Sequence, residues 1–172
     1  MKDNALAVAN YFVELAQKES KPITLLGLVK RVYIAHGFSL AIFHKSLLDP
    51  RFDKVEAWKY GPVIPSVYHS FKQFKASPIT EKTVVMNWNE GNFAPEFHTP
   101  ELKDSNSRKI VKMVWDRYKG YSDSRMVSIT HQEGTPWDRC YVEGCNEVIP
   151  DDITEMFYKA LVKVIVSESG KA

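Results

Sequence analysis

Whatever else this chain does, it has to turn a corner at Tyr60-Gly61-Pro62. Glycine frees φ, while proline fixes it and removes a backbone donor, and Pro65 follows three residues later. No helix runs through Glu56-Ala57-Trp58-Lys59-Tyr60-Gly61-Pro62-Val63-Ile64-Pro65, yet the sequence on both sides is helix-like. Trp58 and Tyr60 are two apart, so in an extended segment they share one face. Two rings on one side of a fixed corner suit either a core plug or a contact surface.

The flanking sequence divides into helices. Leu6, Ala9, Val13 and Ala16 make one apolar helical face, with Asp3 placed as its N-cap. Lys21-Pro22 ends it. Thr24 caps a second helix whose stripe is Leu25, Leu28, Val29, Val32 and His36; it is expected to run past Gly37 to Leu40 and Ala41. Pro65 opens a third, with Val67, Tyr68, Phe71 and Phe74 inward. Ile79 to Trp88 is rich in Thr and Val and reads as a strand pairing with residues 54–58. Asn89 to Ser107 reads as a long loop. A fourth helix follows from Ser107 to Lys119, and Ser122 caps a short one ending at Thr130. A brief turn begins at Thr135-Pro136-Trp137. Asp152 and Glu155 read as a capping box for the last helix, with Ile153, Phe157, Leu161 and Val164 on one face. The expected fold is mainly α: a compact helical domain of about six helices with a small two- or three-stranded β element.

The 44% hydrophobic and 26% charged residues are those of a globular protein, and a net charge of +2 gives no electrostatic footprint for nucleic acid or membrane. No apolar run approaches the length needed to span a bilayer and no signal core is apparent, so a cytoplasmic location is expected. Phosphate-binding glycine loops are absent, and no basic recognition helix follows the second helix.

The densest polar cluster is Thr130-His131-Gln132-Glu133-Gly134-Thr135-Pro136-Trp137, with Cys140 and Cys145 beyond it. A zinc site would draw on His131, Cys140, Cys145 and Glu133 or Asp138, but Cys-x4-Cys lacks ligand spacing. A thiol hydrolase would pair Cys140 with His131, without a third group to orient the base. Acid–base work by His131 and Glu133 needs two side chains that do not face each other reliably. The structural reading ranks first: Thr130 and His131 hydrogen-bond a loop and Trp137 packs behind Pro136. A lone His36 on an apolar stripe is read as a satisfied core or rim residue rather than a ligand.

Three segments carry a resemblance. Leu28, Lys30, Tyr33, Ala35 and Gly37 fit a Leu-x-Lys-x-x-Tyr-x-Ala-x-Gly helix. Trp58 to Val63 fits a Trp-x-x-Gly-Pro-Val segment, and Thr130-His131-Gln132-Glu133 with Pro136-Trp137 fits Thr-His-x-Glu…Pro-Trp ahead of a final helix. In this order they resemble the Panacea domain family of SocA-like antitoxins and GepA-like phage-associated proteins. The resemblance spans nearly the whole chain and implies one domain over residues 1–172. Gly27, the long loop and the cysteine pair depart from the pattern.

What the resemblance implies is the antitoxin of a type II-like pair. It would have no enzymatic activity and no cofactor or metal, and would neutralise a toxin protein encoded nearby by direct binding. Occlusion of the toxin and delivery to a protease are both open routes. A phage or prophage regulator binding a host factor is the alternative. Trp58, Tyr60, Gly61, Pro62, Thr130, His131, Glu133 and Trp137 are the expected partner-binding residues, and the two motif segments are expected to meet in space, with His131 or Glu133 near the Gly61-Pro62 turn.

Overall fold

A computed structural model describes residues 4–89, 91 and 93–170. The fold is built around α2 (Leu25–Phe43), a helix apolar on nearly every side, as a helix must be when neighbours surround it. Packed against it are α1 (Ala5–Lys18), α3 (Pro65–Phe71), α4 (Ser105–Tyr118), α5 (Asp123–His131) and α7 (Asp151–Ser169). The short α6 (Pro136–Cys140) bridges α5 and α7. By length and composition α2 could cross a membrane, which corrects the expectation that no run approaches that length. Yet 83% of its apolar window is buried within the fold, as in a core helix.

The second helix does continue through Gly37, because α7 lies across it there. A Cβ on Gly37 would overlap the Tyr158 ring, which is fully covered and edge-on to Tyr33 and Phe38. Gly27 has a similar reason. A Cβ there would meet Arg31 Nη1 at 2.6 Å and Asp123 Oδ1 at 2.7 Å, so glycine admits both groups to the start of α2. Arg31 then donates to the carbonyls of Tyr118 (2.8 Å) and Tyr121 (3.2 Å), fastening the α4–α5 turn to α2.

A three-stranded antiparallel sheet of order β2-β1-β5 sits at one end: β1 is Glu56–Trp58, β2 Gly61–Val63 and β5 Glu147–Val148. Trp58 pairs with Gly61, so Lys59 and Tyr60 form the turn between them. Trp58 and Tyr60 therefore do not share one extended strand; Trp58 is half-buried in β1, while Tyr60 projects from the turn, 64% exposed.

The segment after α3 departs from expectation. A strand does form, but over Val85–Asn89 (β3), and it pairs with Ala94–His98 (β4) rather than with residues 54–58. The long loop is thus half hairpin, and α4 begins at Ser105 under an Asp104 cap; Asn92 of that loop lies outside the described residues. Asn10, buried on α1, clamps both legs of the hairpin. Its amide donates to the carbonyls of Thr83 and Pro100 at 3.0 Å each and accepts from Thr83 N at 2.8 Å.

Two cap assignments also change. Asp3 lies outside the described residues, and the N-cap of α1 is Asn4, whose side chain accepts from Ala7 N. The N-cap of α7 is Pro150, with no side-chain cap bond. Glu155 instead pairs with His44 (2.8 Å) and Lys159 (2.7 Å). The deepest line of α7 is Thr154 and Tyr158, while Val164 is 51% exposed, because the crossing at Gly37 rotates that stripe inward. Seven α-helices are described, and the β content is a three-stranded sheet plus a separate hairpin: mainly α with small β elements.

Candidate functional site

The Gly-Pro corner and the Thr130–Trp137 segment meet. Trp137 Nε1 donates to the Trp58 carbonyl at 2.7 Å, and His131 Nε2 lies 3.1 Å from the Lys59 carbonyl. A carbonyl can only accept, so that nitrogen carries the imidazole hydrogen. The Trp137 ring stacks on His131 at 3.7 Å between centroids, and on Tyr141 at 4.5 Å. Thr135 caps α6, accepting from Asp138 N and donating to the Gln132 carbonyl, which aims Trp137 at β1. Thr130 is buried, its hydroxyl turned back to the Met126 and Val127 carbonyls. These residues hold the β1–β2 turn from behind. Glu133 is exposed and makes no hydrogen bond among the described residues; the meeting is made by His131 and Trp137.

Gly61 adopts φ +98°, a conformation that side-chain-bearing residues rarely take. A Cβ there would also stand 2.9 Å from Lys30 Nζ. Lys30 reaches this point from the second turn of α2, fully buried, and donates to the Pro62 carbonyl at 2.9 Å. It thereby ties the Leu-x-Lys helix to the Gly-Pro turn. Burial pushes its ammonium down to about 7. Burial also lowers Arg31 next to it in sequence, to about 10, with the nearby Asp123 carboxylate opposing the shift.

On the front of the turn lies a cavity of about 550 Å³ with mostly apolar walls. Leu26 and Val29 from α2, Trp58 and Tyr60 from the hairpin, and Tyr68 from α3 line it, with Lys30 among the lining residues. Trp58 is set by Nε1 donating to Glu56 Oε2 at 2.8 Å and by the Tyr68 ring edge-on at 5.0 Å. At the rim Asp123 accepts from the Thr24 hydroxyl at 2.6 Å, and Lys59 and Lys75 bring positive charge.

The zinc and thiol readings, ranked below the structural one, find little support around the cysteines. Cys140 and Cys145 are free thiols, and burial, with the Asp152 carboxylate adding to it, pushes the Cys140 thiol up, away from the thiolate a nucleophile needs. Among the described residues no three His, Cys, Asp or Glu side chains gather closely enough to hold a metal ion. His36 is buried and its Nε2 meets Asp151 Oδ1 at 3.0 Å, but its Nδ1 has no partner among the described residues, so it is only half satisfied.

The family described as "Antitoxin SocA-like, Panacea domain" matches residues 28–138. That span opens at Leu28 and closes just past Trp137, enclosing all three motif segments. The chain belongs to the SocA-like Panacea family. It is similar to the protein named Antitoxin SocA of Caulobacter vibrioides (strain NA1000 / CB15N), 30% identical over 135 residues covering 78% of this chain and 69% of that protein. No solved structure matches it. In this Panacea chain the three motifs are one assembly: Lys30 and Trp137 approach the Gly-Pro turn from two sides and fix it between them.

Sequence reasoning placed Lys30 in a motif but not at the site. The signal was present, because Lys30 and Arg31 sit in a run apolar on all sides, where a charge has to find a partner. A second feature lies outside all three motifs. The β3–β4 hairpin exposes Met86, Trp88 and Phe97, which its register places on one face together with Pro95.

Proposed function

We propose that this chain is the antitoxin of a type II-like pair, neutralising a toxin protein encoded nearby by binding it directly. The observation that carries this reading is the presentation of Tyr60. A large aromatic stands 64% exposed on a turn braced from behind by Trp137 and His131 and from within by Lys30, at the rim of an apolar cavity. Rigid aromatic anchors beside apolar pockets are the features that concentrate binding energy in protein interfaces. Supporting it is membership of a family named for an antitoxin.

The expected site residues divide by role. Trp58 and Tyr60 form the contact surface, and Glu133, exposed after α5, is a further contact residue. Gly61, Pro62, Thr130, His131 and Trp137 hold that surface in shape. Binding is common to both routes of neutralisation, occlusion and delivery to a protease, and neither asks the chain for catalysis, a cofactor or nucleic-acid binding. Action in the cytoplasm follows from a toxin acting there.

Co-expression tests the reading. The neighbouring gene product should arrest growth alone and should be harmless with this chain present; Tyr60→Ser should abolish the rescue with the melting temperature unchanged. A neighbour that is harmless alone, or lethal in both cases, refutes the antitoxin assignment. Recovery of a host protein instead of that neighbour in a pull-down also refutes it, in favour of a regulator.

A further inference from the structure

The β3–β4 hairpin has its two sides the wrong way round for a ribbon lying against a protein. Met86 pairs with Phe97 and Trp88 with Pro95, so these four share one face, and all four are exposed. The opposite face holds every half-buried residue of the two strands: Val85, Asn89, Ala94 and His98. It is the polar side, with Asn87 bonded to His98 at 3.3 Å and Asn89 to Glu96. His98 borders Asn4 and Ala7 at the start of α1. The polar side is therefore turned to the fold and the apolar side to water, the reverse of a sheet with one solvated face. Asn10 holds both legs at Thr83 and Pro100, so the hairpin presents this face from a fixed base.

The exposed face is large. Met86, Trp88 and Phe97 are 57%, 58% and 69% exposed, and Val84 and Phe93 at the ends of the ribbon are exposed as well. With about 200 Å² to a large aromatic side chain, the patch amounts to roughly 600 Å² of apolar surface, the size that marks a contact site on a protein surface. A two-stranded ribbon is also marginal in water by itself, and a covering layer is what stabilises one.

We propose that a second copy of this chain covers the face, the two hairpins packing apolar side to apolar side as an isologous pair. Selection of a foreign partner relies on charged and hydrogen-bonding groups that reject the wrong one. This face offers a single donor, the Trp88 indole, and the carboxylate of Glu96 lies on the other side. A second copy needs no such selection, because a two-fold contact matches the same patch twice. No charge on the face opposes its own image, and a net charge of +2 sets up little repulsion between whole chains. Two copies cover roughly 1,200 Å² in total, the lower bound for a stable specific pair, so association in the micromolar range is expected. None of the hairpin residues lines the cavity beside Tyr60, so the pair leaves that surface open on both copies and does not rest on the antitoxin reading.

Sedimentation equilibrium of the full chain over a concentration series tests this. The unaltered chain should show a monomer–dimer equilibrium, with amide exchange over residues 85–98 slowing as the dimer forms. Trp88→Asp and Phe97→Asp each place a charge in the dry contact and should weaken association at least tenfold, with the melting temperature of the dilute protein unchanged. Asn87→Asp puts the same charge on the opposite face and should leave association intact, as should Tyr60→Ser. A chain that stays monomeric up to its solubility limit overturns the proposal. So does a dimer that Trp88→Asp and Phe97→Asp leave as tight as before, or that Asn87→Asp weakens equally. A monomeric chain whose hairpin becomes protected only on adding the neighbouring gene's product overturns it in favour of a foreign occupant.

Discussion

Replacing Lys30 by methionine should stabilise this protein at neutral pH, and the gain should shrink as the pH rises. Burial brings the lysine from 10.5 to about 7 in the folded chain, whereas the unfolded chain keeps the ordinary value. The folded value is depressed, so between pH 7 and 10.5 the unfolded state binds more protons and stability rises with pH. At about 1.4 kcal/mol per unit, holding Lys30 buried costs on the order of 4 kcal/mol at pH 7 and about 2 kcal/mol at pH 9. Methionine matches the length of the aliphatic stem and removes that cost, but it leaves the Pro62 carbonyl unpaired, a loss of about 1–3 kcal/mol. The net gain is about 1–3 kcal/mol at pH 7, falling by about 2 kcal/mol by pH 9. Urea unfolding of both proteins at the two pH values measures this. A difference between them that stays constant from pH 7 to 9 refutes the reasoning, because it means the buried lysine does not titrate in that window.

Three further outcomes are expected. Gly37→Ala should destabilise by about 1–3 kcal/mol although alanine is the better helix former, because its Cβ runs into Tyr158; a thermal melt decides, and a raised melting temperature counts against the α2–α7 packing. Trp137→Phe keeps the stacking on His131 and Tyr141 but loses the bond to the Trp58 carbonyl. It should cost about 1–3 kcal/mol and loosen the β1–β2 turn in hydrogen exchange. Asn10→Ala should speed amide exchange over residues 83–100 while α2 stays protected, since three hydrogen bonds hold the hairpin legs to α1.

Much of the fold was legible because local signals and tertiary demands agree. Thr24 caps α2, Pro65 opens α3 and Ser122 caps α5, each where the residue type predicts. The expected run of α2 through Gly37 is seen, with Tyr158, which no local window contains, packed against the glycine. The readings that failed depended on distant partners. Strand β4 was hidden by Pro95, which reads as a loop residue; in a two-stranded ribbon both strands are edges, and an edge tolerates proline. The Thr- and Val-rich stretch before β3 looked like strand, but Thr83 hydrogen-bonds Asn10 instead of a neighbouring strand. Strand β5 is two residues long, too short for any pattern.

The site was legible in part for the same reason. The two motifs announced themselves through Gly, Pro and Trp, and their meeting rests on the Trp137 and His131 bonds to the corner. Glu133 carries the same residue-type signal, yet it faces solvent, because only the turn geometry after α5 decides where it points. Lys30 was harder. Its role depends on the Gly61-Pro62 backbone lying over the second turn of α2, which is a product of the whole fold.

Calorimetric titration of the purified chain with the product of the neighbouring gene tests the central claim most directly. The account predicts saturable binding at a fixed stoichiometry, weakened at least tenfold by Tyr60→Ser with the melting temperature unchanged. No heat of binding at micromolar concentrations, or binding that Tyr60→Ser leaves intact, would contradict it.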